Sequence, residues 1–76
     1  MLMDVYEITS EKEELQGIGL RNKLKTIGEK HGIDVLPQNL PNNTVRFAVR
    51  PGTDVKPVID FIKEFRPSSS IKRVNQ

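Results

Sequence analysis

Seventy-six residues with a formal net charge of +2 make one small domain. Cysteine is absent and His31 is the only histidine, so disulfides are excluded and a zinc site lacks a ligand set. A chain this short must then be supported by its packing or by a partner. The sequence has no apolar run near the roughly 18 residues of a membrane span. Its opening Met1-Leu2-Met3-Asp4 lacks the basic region of a secretory leader, and a cysteine-free chain fits a reducing cytoplasm.

Charge is unevenly spread. Residues 1–20 carry five acids, Asp4, Glu7, Glu11, Glu13 and Glu14, against Lys12, whereas residues 21–76 carry eleven bases against five acids. A basic body of this kind suits an anionic ligand such as phosphate or nucleic acid. A solvated mixed surface is the plainer alternative.

In chain order, residues 2–8 are rich in strand formers and predict a first strand. Thr9 to Glu14 is polar and predicts a loop, with Ser10 and Glu13 at capping-box spacing but no helical pattern behind them. Leu20, Leu24 and Ile27 recur at helical spacing between basic residues, which predicts a helix with one buried stripe. Gly32 suits the left-handed position just past its end, and His31 complements its dipole. Residues 33–38 predict a second strand that either lies at an edge or ends at Pro37, which has no N–H for a ladder. Pro41-Asn42-Asn43-Thr44 predicts a tight turn despite its match to a glycosylation sequon. Val45, Phe47 and Val49 then alternate with Arg46, Ala48 and Arg50, a half-buried strand. Thr53 or Asp54 is expected to cap a second helix with apolar Val55, Val58, Ile59, Ile62 and Phe65, tolerating Pro57 in its first turn. Residues 71–74 predict a short last strand. The order βαββαβ gives an α+β fold, the ferredoxin-like sandwich: an antiparallel sheet with both helices on one face and right-handed crossovers.

One segment carries candidate chemistry. Leu15-Gln16-Gly17-Ile18-Gly19-Leu20-Arg21 lies between strand and helix. Two glycines let backbone N–H groups converge, the helix adds the positive end of its dipole, and Arg21 adds a guanidinium fork that matches phosphate. A plain connecting loop with a solvated arginine is the alternative. Asn39 is the second candidate, because it precedes the hairpin turn at the end of a strand, whereas Asn42 and Asn43 read as ordinary turn residues.

At these two segments the sequence resembles the acylphosphatase family. Gln16-Gly17-Ile18-Gly19-Leu20-Arg21 stands where that family carries Gln-Gly-Val-x-Phe-Arg. Pro37 to Val45 runs without a gap beside its Val-Arg-Asn-Leu-Pro-Asp-Gly-x-Val stretch. Pro67-Ser68-Ser69-Ser70-Ile71-Lys72-Arg73 is similar to the segment entering the family's fourth strand. The resemblance implies the ferredoxin-like fold and metal-independent hydrolysis of an acyl phosphate, with no cofactor. By carry-over, Arg21 and the backbone N–H groups of Gln16, Gly17, Ile18, Gly19 and Leu20 would hold the phosphoryl oxygens, and Asn39 would orient the attacking water. Such chemistry depends on positioning and charge stabilisation more than on a strong base.

The departures from the family pattern are specific. Glu13-Glu14-Leu15 stands where a glycine-containing run is usual, and the loop is a few residues longer there. Leu20 replaces an aromatic, and Pro37 and Asn43 replace an apolar residue and a glycine. The fifth strand usual in the family is not reached by Gln76. Three glutamates beside a dianion cradle are expected to repel it unless they point away.

Two other functions compete: a catalytically inactive domain of the same fold that binds a protein or a small anion, and a single-stranded RNA binder. For the latter, Arg46 and Arg50 would project from the open sheet face with Tyr6 as the only aromatic platform, a poor one. Lys23, Lys25 and Lys30 form an ordinary solvated helix face rather than a membrane surface. The last strand leaves an edge available for pairing with another chain, a homodimer included.

Overall fold

The computed structural model describes residues 2–74. The chain runs β1 (Asp4–Thr9), α1 (Leu20–Lys30), β2 (Leu36–Leu40), β3 (Thr44–Val49), α2 (Lys56–Phe65) and β4 (Ser70–Val74). All strand pairs are antiparallel and the sheet order is β2-β3-β1-β4. This is the ferredoxin-like α+β arrangement, with β2 and β4 as the two edges. Its Cα radius of gyration of 11.4 Å is that of one folded unit of this length.

Alternation puts Val45, Phe47 and Val49 on one face of β3, and all three are fully buried. They join Ile8 of β1, Leu20 and Leu24 of α1, and Val58 and Ile62 of α2 in one core, so both helices cover the same sheet face. Leu15 and Val35, from the segments flanking α1, and Val55, before α2, complete it.

Three sequence expectations are corrected. The second strand begins at Leu36, not Ile33, because α1 ends in a Schellman turn. There, Gly32 has φ 69°, its N–H donates to the Glu29 carbonyl at 3.2 Å, and the Ile33 N–H donates to Gly28 at 2.8 Å. Ile33 and Val35 are thereby committed to the helix end and the core. At α2 the cap position falls on Val55, not on Thr53 or Asp54. Asp54 still serves the helix start, since its carboxylate accepts the Lys56 N–H at 3.0 Å, while the Thr53 hydroxyl donates to the Arg50 carbonyl.

The third correction concerns Tyr6. It pairs with Phe47 across β1 and β3, and the two rings stack with centroids 5.1 Å apart. Tyr6 is therefore on the helix-covered face. The open face carries Glu7 against Arg46, joined by an ion pair at 2.7 Å, and Val5 against Ala48. Arg50 lies just beyond the end of β3 and is exposed.

Candidate anion-binding site

The segment between β1 and α1 is held at several points. The Ser10 hydroxyl accepts the N–H groups of Lys12 and Glu13, a local turn without a helix behind it. The Glu13 carboxylate then crosses to the segment before β4, where it accepts the Ser68 N–H at 2.9 Å and the Ser68 hydroxyl, with the Arg66 guanidinium 3.9 Å away. Hydrogen bonds from Ser68 hold the Glu13 carboxyl below its ordinary range, helped by the charge of Arg66. Arg66 also donates to the Glu14 carbonyl at 2.9 Å.

Asn43 and Gln16 fix the next stretch against the β2–β3 hairpin. The Asn43 side chain accepts the Leu15 N–H at 2.8 Å and donates to the Glu13 carbonyl at 2.9 Å. The Gln16 amide donates to the carbonyls of Leu40 and Thr44 at 2.5 and 2.8 Å. Leu15, buried to 1 % exposure, anchors the loop in the core. Because the same hairpin carries Asn39, these bonds also set the loop's position relative to Asn39.

Beyond these anchors the backbone turns outward. Gly17 and Gly19 adopt φ of 75° and 77°, and Gly19 is the residue before the first turn of α1. Alternating left-handed residues of this kind make a concavity of N–H groups. Among the described residues, the N–H groups of Gln16 through Asn22 donate to no protein acceptor. The last three belong to the first helical turn, which leaves its donors unpaired by construction.

This loop forms one wall of a cleft of ≈ 280 Å³. Gln16, Gly17, Gly19, Leu20 and Arg21 line it, and Pro37 and Asn39 of β2 face them. Ile18 is the exception among the expected loop residues, because it is half-buried against the core and does not line the cleft. Arg21 is exposed and makes no ion pair among the described residues. Glu11, Glu13 and Glu14 are all absent from the lining. Glu13 is committed to Ser68 and Arg66, which relieves the expected repulsion at that residue.

Lys25 also lines the cleft, one helical turn after Arg21. It is exposed, as a solvated helix face requires, and its i, i+4 spacing from Arg21 is the sequence signal that places it beside the same cleft. The cleft therefore holds two cations, a set of unpaired N–H groups and the three carboxamides of Gln16, Asn22 and Asn39, and neither a carboxylate nor a histidine lines it. Among the described residues, no cluster of acids and histidine has the makings of a metal site. Such a cleft can bind and polarise a phosphate-like anion but offers no strong base.

No protein-family model, curated protein or solved structure matches this chain.

Proposed function

We propose that this chain is an acylphosphatase-type hydrolase of carboxylic–phosphoric anhydrides. The supporting observation is that Arg21 and Asn39, distant in sequence, line one cleft beside a loop of unpaired N–H groups.

In this reading the phosphoryl oxygens take hydrogen bonds from the loop N–H groups and the Arg21 fork, at the positive end of α1. Asn39 holds a water for in-line attack on phosphorus. The water oxygen forms the new P–O bond as the P–O bond to the acyl oxygen breaks, and the acyl group departs as a carboxylate. One water proton passes to a phosphoryl oxygen, so the products are the carboxylate and monobasic phosphate. A carboxylate is a good leaving group, and the loose transition state needs charge neutralisation more than a base. A cleft without carboxylate or histidine suits that requirement.

The test is steady hydrolysis of benzoyl phosphate by the purified chain. Arg21→Ala and Asn39→Ala should each lower kcat by about 10²–10³. Phosphate binding with no turnover would instead assign the cleft to an anion-binding module. The RNA reading loses its platform, because Tyr6 and Phe47 are both on the helix-covered face and Arg46 is held by Glu7. No described helix is long and apolar enough to cross a membrane, and we assign the chain to the cytoplasm on its lack of cysteine. A second copy pairing along an exposed sheet edge is compatible with this site.

A further inference from the structure

A second depression adjoins the cleft. An open groove of ≈ 550 Å³ runs between α1 and α2, lined by Lys23, Ile27, Phe61 and Phe65, and it shares Gly19 and Asn22 with the cleft. Phe61 and Phe65 are half-buried, pack partly against the core and stack with centroids 5.6 Å apart, and although the Arg66 guanidinium lies 4.3 Å from the Phe65 centroid, both rings still line the groove. The cleft and the groove lie on opposite flanks of the start of α1. Arg21 and Lys25 point toward β2, while Lys23 and Ile27 point toward α2.

That placement constrains the leaving group. In phosphoryl transfer the attacking and departing oxygens lie roughly in line. A water held by Asn39 approaches from the β2 side. The acyl oxygen must then leave on the far side of the phosphorus, across Gly19 and Asn22 and toward α2. We infer that the acyl group of the substrate occupies the groove over Phe61 and Phe65, so that the substrate class is acyl phosphates with an aromatic or other apolar acyl group rather than a small one such as acetyl. The inference rests on the hydrolase reading above. Lys23, whose Nζ is 5.4 Å from the Phe65 ring centroid, puts a positive charge on the groove wall on the side where the carboxylate departs.

The test uses non-hydrolysable phosphonates, so it does not depend on turnover. Methylphosphonate and 2-phenylethylphosphonate are titrated into the folded chain by calorimetry and by ¹H–¹⁵N NMR. The phenylethyl compound should bind at least about tenfold tighter, the low end of what an apolar pocket yields. It should also shift the amides of Lys23, Ile27 and Phe65, which methylphosphonate leaves in place. Phe65→Ala should reduce the preference to below about threefold while methylphosphonate affinity is kept, which also certifies that the variant is folded. Equal affinities for the two compounds, or phenylethyl shifts confined to the β2 side, overturn the inference and leave the hydrolase reading standing. Failure of both phosphonates to bind overturns the two together.

Discussion

The Asn43 side chain accepts the Leu15 N–H at 2.8 Å and donates to the Glu13 carbonyl at 2.9 Å, so a hairpin-turn residue holds the loop that walls the candidate anion cleft. A weaker third bond, at 3.4 Å, reaches the Ser10 carbonyl. The Asn43 carboxamide thus supplies partners for backbone groups of the segment before Gln16.

Replacement of Asn43 follows directly. Asn43→Gly keeps the backbone conformation, φ 57°, at no steric cost, but leaves the half-buried Leu15 N–H without an acceptor. The expected loss is about 1–3 kcal/mol, seen as a lower urea midpoint at unchanged m-value. Asn42→Gly is the control. Asn42 has φ 63°, and its side chain makes no hydrogen bond among the described residues, so its replacement should leave stability nearly unchanged. Phosphate affinity should fall in the first variant and hold in the second.

The sequence reveals some of this architecture and hides the rest for identifiable reasons. The alternation of Val45, Phe47 and Val49 and the helical stripe of Leu20 and Leu24 carry the fold, since each pattern has one periodicity and one buried face. The face of Tyr6 is hidden because β1 does not alternate cleanly. Val5 and Ile8 are both buried, yet they lie on opposite sheet faces, Val5 beside Ala48 and Ile8 beside Val45. Because Val5 and Ile8 are an odd three positions apart, period two cannot put both on one face, and only the register of Tyr6 with Phe47 assigns it to a face. Arg21 and Asn39 were legible as motif residues, whereas the anchoring roles of Asn43 and Gln16 depend on contacts across the hairpin that no local pattern encodes.

Glu13 makes stability depend on acidity. Its carboxyl is held below the ordinary carboxylate value by Ser68 and Arg66, so its contribution is present above that ordinary value. The contribution is lost as pH falls through the lower value of the folded state. Glu13→Gln should therefore be less stable than the parent chain at pH 7. The gap should close as urea unfolding is repeated at pH values falling below about 4. A gap that stays constant across that range would assign the loss to packing rather than to the carboxylate.

Gly28 lies in the last turn of α1, where its carbonyl accepts the Ile33 N–H. A Cβ built there would meet the Ile33 carbonyl oxygen at 2.6 Å and Val35 Cγ2 at 2.7 Å. In an exposed helix, alanine stabilises by roughly 1 kcal/mol relative to glycine. Here the sign should reverse, with Gly28→Ala costing about 1–3 kcal/mol, because both neighbours belong to the segment that the Schellman turn holds against the core. Thermal unfolding should give a lower Tm for this variant. Gly32→Ala should also destabilise, but through its φ of 69° rather than through a clash, since nothing lies within 4 Å of a Cβ at that position.

Arg21 and Lys25 share the cleft and differ in what they can do there. Arg21 stands at the first turn of α1, beside the unpaired N–H groups, and its fork can take two phosphoryl oxygens at once. Lys25 is one turn further along and offers a point charge that solvent and salt screen over about 8 Å. Arg21→Ala should therefore lower phosphate affinity by about tenfold or more, and Arg21→Lys should recover only part of it, because the charge returns without the fork. Lys25→Ala should cost only a few-fold, and that cost should shrink as ionic strength rises from 0.02 to 0.3 M, taken as roughly a fourfold change in screening length. Neither residue makes an ion pair among the described residues, so unfolding of all three variants should stay within about 0.5 kcal/mol of the parent. Calorimetric titration with inorganic phosphate at the two salt concentrations, beside urea unfolding of the same samples, measures both. Equal losses from Arg21→Ala and Lys25→Ala with the same salt dependence would reduce the cleft to a diffuse positive patch.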